Sequence, residues 1–89
     1  MIKDVLLTQL DIIEVPNGRV FHALKNFDAG YNQFGEAYFS EIEPGKVKAW
    51  KRHRLMTLNL VVPIGEVRFV LLDDRLDGHK EYDAYYLSQ

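Results

Sequence analysis

The apolar positions of this chain fall in short runs separated by turn residues. The punctuation is Pro16-Asn17-Gly18, Ala29-Gly30, Gly35, Pro44-Gly45, Pro63-Ile64-Gly65 and Asp77-Gly78. Turn signals at this spacing between β-branched and aromatic runs predict an all-β sandwich or barrel. Residues 5–15 read as one strand or two, and 19–24 as the strand after the Asn-Gly turn. Residues 37–42 (AYFSEI), 47–53, 58–62 (LNLVV), 67–72 (VRFVLL) and 82–87 (YDAYYL) follow as further strands. The two most apolar runs, 58–62 and 67–72, predict a central hairpin through the short turn at 63–66. Leu60 and Phe69 are expected in its core. No window has a helical period, and the polar stretch 25–34 reads as a loop or a short helical turn.

Composition narrows this picture. The 89 residues suffice for one domain, and 47% of them are apolar or aromatic, enough for a core. Eleven basic and thirteen acidic residues give a net charge of −2, which does not favour nucleic-acid binding. The absence of cysteine excludes disulfides, thiolate metal sites and a cysteine nucleophile. Acidic residues interrupt the N-terminal apolar run, so no signal peptide is expected there. No stretch approaches the ~20 apolar residues of a membrane-spanning helix. A soluble cytoplasmic protein is the expectation.

One local charge cluster departs from the average. Lys46, Lys48, Lys51, Arg52 and Arg54 stand with His53 in a nine-residue stretch. Such a patch suits a phosphate group or an acidic partner surface; a solvated strand face is the plainer alternative. With the period of two, Val47, Ala49, Lys51 and His53 share one face of the expected strand, and Lys46, Lys48, Trp50 and Arg52 the other. Small apolar residues leading into a lysine and a histidine fit the mouth of a barrel where a ligand sits. They equally fit an edge strand whose polar ends reach water.

The spacing of Gly45, Lys51, His53, Leu58 and Gly65 resembles the first cupin motif: glycine, His-x-His, Glu and a closing glycine. Lys51 and Leu58 occupy two of the three metal-ligand positions, and His53 alone cannot hold a divalent ion. The resemblance therefore implies a metal-free cupin with no cofactor. Residues 34–75 are similar to the dTDP-4-dehydrorhamnose 3,5-epimerases and the related dTDP-sugar 3,4-ketoisomerases. The matching features are Gly35-Glu36 with Tyr38-Phe39-Ser40, Pro44-Gly45, Lys48-Ala49-Trp50 leading to His53, Met56-Thr57, Asn59-Leu60, Gly65 and Asp73-Asp74-Arg75. Upstream, 18–22 (GRVFH) belongs to the same likeness.

That resemblance implies an antiparallel β-sandwich or partial jelly roll over residues 1–89, a single cupin-like domain that ends after the first motif. It implies a nucleotide-linked keto-deoxy sugar as ligand and a place in polysaccharide biosynthesis. His53 and Lys51 are then the catalytic candidates, with Lys48, Arg52, Asn59 and His22 as substrate-binding candidates. The epimerases' catalytic histidine position falls on Lys51. Epimerisation beside a ketone needs a base for the α-proton and an acid on the opposite face. His53 has a suitable ordinary pKa of ~6.5; Lys51 needs burial or the neighbouring cations Arg52 and Arg54 to depress it.

Tyr82, Tyr85 and Tyr86 are candidate acids, or cover for the sandwich or a subunit contact. His22 lines the cavity or is structural, and Asp73-Asp74-Arg75 reads as a turn with an ion pair. A homodimer is expected, with residues 2–10 as a crossing segment by analogy with the epimerases. The alternative function is a non-catalytic sugar-nucleotide-binding or assembly module.

Overall fold

The computed structural model describes residues 2–89. Four strands form two antiparallel hairpins: β1 (Ile12–Val15) with β2 (Gly18–Phe21), and β3 (Glu66–Asp73) with β4 (Glu81–Ser88). The described residues contain no helix, so the all-β expectation holds. Accordingly, no helix among them is long and apolar enough to cross a membrane.

The first hairpin follows from its turn. Pro16 fixes its own φ near the value the first central turn position needs. Gly18 then takes φ +149°, a conformation L side chains rarely adopt. Val15 pairs with Gly18 and Ile12 with Phe21, and the His22 N–H extends the ladder by donating to Asp11 O at 3.0 Å.

The second hairpin is longer. Its register runs from Glu66 opposite Ser88 to Asp73 opposite Glu81. The residues between the strands close through a β-turn in which His79 N–H donates to Leu76 O at 3.1 Å. Gly78 supplies the φ of +70° that this turn requires. Strand alternation separates two faces. Val67, Phe69, Leu71, Asp83, Tyr85 and Leu87 are half-buried, whereas Arg68, Val70, Tyr82, Ala84 and Tyr86 are exposed.

Two expectations are corrected here. Residues 58–62 form no strand, and β3 takes β4 as its partner instead. Likewise, 37–42 and 47–53 carry no ladder. The physical reason is partner matching. An eight-residue register joins Phe69 to Tyr85 and Val67 to Leu87, aromatic and aliphatic pairs of the kind that stabilise sheets, and sets the Arg68 guanidinium over the Tyr86 ring. The five-residue run 58–62 ends at Pro63, which has no N–H to donate. Leu60 is consequently 47% exposed, outside any core.

The N-terminal segment is tied to the second hairpin. The Ile2 N–H donates to Asp83 Oδ2 at 2.8 Å, on the half-buried face. Arg75 reaches Asp4 Oδ2 at 3.0 Å and Lys3 O at 3.1 Å. Even so, no described residue is buried, and the chain exposes 8628 Å². Size scaling gives about 5,400 Å² for a folded monomer of this mass. The radius of gyration, 15.0 Å, likewise exceeds the ~12 Å of a compact chain of this length.

Candidate functional site

The basic stretch forms an irregular, exposed segment between the two hairpins. Three of its cations take different neighbours. Lys48 Nζ donates to Ser40 Oγ at 3.1 Å. The Lys51 ammonium stands 5.8 Å from the centre of the Tyr38 ring, within cation–π range. Arg52 Nη2 lies 3.2 Å from Asp74 Oδ2, just past the end of β3. Through these contacts residues 48–52 meet both the 38–40 segment and the second hairpin.

Two open depressions meet at Arg52. One, of about 500 Å³, lies between Arg52 with Asp74 and the turn at 76–80. Its cations Arg52 and Lys80 are matched by Asp74 and Asp77. The other, of about 380 Å³, is lined by residues 52–56. There Arg52, His53 and Arg54 gather without an acidic lining residue, beside the apolar Leu55 and Met56. Its positive side chains suit an anion, with Arg52 already paired to Asp74 and with Leu55 and Met56 exposed beside them.

The candidate residues are only partly brought together. Arg52 and His53 share the second depression, while Lys48 and Lys51 contact the 38–40 segment. Lys51 and His53 are both exposed, and neither lies in a regular strand. Asn59 Nδ2 donates to Gly30 O at 3.1 Å, which ties 58–62 to the loop after β2. His22 is half-buried at the end of the β1–β2 ladder.

Asp73-Asp74-Arg75 forms the expected ion pair after the strand. Arg75 Nε donates to Asp73 Oδ1 at 2.8 Å, and Asp74 meets Arg52. The Arg75 guanidinium, with the Arg75 backbone N–H adding to it, holds the Asp73 carboxyl down at about 2. Asp73 and Asp4 in turn keep Arg75 charged. Partial removal from water raises the Tyr85 phenol, and the Asp83 carboxylate accepting its hydrogen bond at 3.3 Å adds to the rise. Asp74 as a partner of Arg52 and the clustering of His79 and Lys80 beside it were not foreseen. The sequence carried no signal for either, since the contact spans two separate segments.

Among the described residues, no three His, Asp or Glu side chains gather as a metal site would require. No family model, curated protein or solved structure matches the chain.

Proposed function

We propose that this chain is a metal-free, cupin-like module that takes a nucleotide-linked sugar at residues 48–56. The carrying observation is the depression at 52–56, where Arg52, His53 and Arg54 stand beside Leu55 and Met56. A diphosphate supplies the negative charge that the arginines complement, and guanidinium forks suit phosphate oxygens. The exposed Leu55 and Met56 side chains offer apolar contact to a sugar or base face. Lys48, Asn59 and His22 enter this reading through the likeness to the epimerases and not through the lining of the depression. The likeness of residues 34–75 to the dTDP-sugar epimerases and ketoisomerases supports the choice of ligand, and the partial jelly roll belongs to the same reading.

In the catalytic form of this reading, His53 removes the proton from the carbon beside the sugar ketone. The electron pair moves onto the carbonyl oxygen as an enolate. Water donates a proton to that carbon from the opposite face to give the epimer, and His53 then releases its proton to the hydroxide left behind. A non-catalytic binding or assembly module is the second reading. It is favoured by Lys51, which stands at the position of the epimerases' catalytic histidine and instead faces the Tyr38 ring.

Titration calorimetry with thymidine- and uridine-diphosphate sugars tests the binding. Saturable binding that Arg52→Glu and Arg54→Glu abolish is the expected result; absence of binding to either class overturns it. Solvent deuterium entering the carbon beside the ketone, lost in His53→Ala, separates the catalytic form from the binding form.

A further inference from the structure

Charge is unevenly divided along this chain. Residues 44–65 hold five lysines and arginines and no aspartate or glutamate, and they are bounded by Glu43 and Glu66. With histidine neutral this stretch bears +5, and the other residues, with six bases and thirteen acids, bear −7. The local excess counts for more than the net −2. Physiological salt confines each charge to about 8 Å, whereas the chain extends over 54 Å. Asymmetry of this kind points to a polyanionic partner.

The cations of this stretch meet few acids. Among the described residues, Arg52 alone of the five stands at ion-pair distance from a carboxylate, that of Asp74. Lys48 donates to the neutral Ser40 hydroxyl, and Lys51 faces the Tyr38 ring. Apolar side chains stand exposed among the cations: Val47 at 87% and Trp50 at 63%, with Leu55 and Met56 following. Every residue from 41 to 61 is exposed, and none of 46–56 lies in a ladder.

We infer that residues 46–56 dock this chain on the surface of an anionic lipid bilayer, the cations meeting lipid phosphates while Val47 and Trp50 enter the headgroup region. Two features choose lipid over other polyanions. First, single-stranded nucleic acid presents flat bases that stack on aromatic rings. Here the Tyr38 ring is taken by Lys51, and Val47, Leu55 and Met56 offer no ring. Aliphatic side chains among cations suit acyl chains lying beneath phosphates.

Second, the one tryptophan of the chain stands between Lys48 and Lys51. An indole favours the boundary between water and acyl chains, and lysine stems lie along that boundary while their ammonium groups reach the phosphates. The acidic remainder of the chain is repelled by the same surface, which sets the orientation. Docking of this kind lies on the bilayer and needs no spanning helix. It does not rest on the ligand reading, since Lys46 and Val47 lie outside the proposed sugar-nucleotide site at 48–56.

The test uses the intact chain with vesicles of phosphatidylcholine alone or mixed with phosphatidylglycerol. Co-sedimentation should occur with the acidic vesicles only and weaken as salt rises. Trp50 emission should shift to the blue on binding. Lys46→Gln should weaken binding about fivefold, the weight of one lysine at an acidic surface, and Lys46→Arg should retain it. Val47→Ser, which leaves the charge alone, should weaken it about threefold or more.

Absence of binding to acidic vesicles overturns the inference, as does equal binding to neutral ones, which a generally adhesive chain would give. Binding that ignores Lys46→Gln, or that leaves Trp50 emission unshifted, overturns it too. A shift of that emission by glycerol phosphate, a headgroup without a bilayer, has the same force. So does a single-stranded oligonucleotide that shifts it at lower concentration than the acidic vesicles do, which assigns the stretch to nucleic acid. Calorimetry with thymidine-diphosphate sugars reads Arg52 and Arg54. Lys46→Gln and Val47→Ser should not change it, so either reading can fail alone.

Discussion

Arg75 and Asp73 form a two-point fork: Arg75 Nε donates to Asp73 Oδ1 and Arg75 Nη2 to Asp73 Oδ2, each at 2.8 Å. The same guanidinium reaches Asp4 and the Lys3 carbonyl. One side chain thus closes the end of β3 and holds the N-terminal segment against the second hairpin. Geometry of this kind makes an arginine stronger than a lysine at the same position, because the planar fork meets both carboxylate oxygens.

The fork makes stability depend on acid. Hydrogen bonding to Arg75 lowers the Asp73 carboxyl from an ordinary 3.8 to about 2. The folded state therefore binds fewer protons than the unfolded one between these values. The contribution is fully present above about pH 4 and is lost as the pH falls toward about 2. Acid titration followed by circular dichroism should show this loss, and Asp73→Asn should flatten the profile in that window. Because the fork faces solvent, added salt should shrink the difference.

Phe69 should matter more than Leu60. Phe69 is half-buried and stands opposite Tyr85, so Phe69→Ala should cost about 1–2 kcal/mol, less than the ~3–5 of a fully buried phenylalanine. Leu60 is exposed and outside the ladders, so Leu60→Ala should cost less than about 1 kcal/mol. Denaturant unfolding of the two variants measures the contrast, and equal losses would contradict the pairing of β3 with β4.

Gly78 should be intolerant for a purely backbone reason. A Cβ there would meet nothing within 4 Å, yet φ is +70°. Gly78→Ala should destabilise the hairpin by about 1–2 kcal/mol, and Gly78→Asn by less, since asparagine tolerates this region better. Hydrogen exchange of the β3 and β4 amides reports the loss locally.

Metal removal should leave ligand binding unchanged. The proposed site uses Arg52, His53 and Arg54, and the described residues hold no cluster of metal donors. Calorimetry with a thymidine-diphosphate sugar should give the same affinity with and without a chelator. Arg52→Ala should weaken it by about tenfold or more, the scale of a charge-assisted hydrogen bond. Raised ionic strength should weaken it as well.

The sequence by itself determined what depends on neighbours along the chain. Pro16-Asn17-Gly18 makes a turn because proline and glycine restrict and extend φ within three residues. Residues 82–87 alternate as a half-buried strand must, and β4 forms around them. Asp73 and Arg75 pair because they stand two residues apart. The local cluster of cations at 46–54 was equally legible.

Only the tertiary structure decided which segments meet. The apolar run 58–62 offered β3 as plausible a partner as 81–88 did. Apolarity records a need for cover and not the identity of the cover, and the longer register of aromatic and β-branched pairs with β4 prevailed. Period-two alternation at 47–53 was real, but alternation makes a strand only where another backbone completes the ladder. Arg75 with Asp4, Arg52 with Asp74 and Asn59 with Gly30 join residues 71, 22 and 29 positions apart. Contacts at such separations depend on the path of the whole chain, so no local pattern announces them.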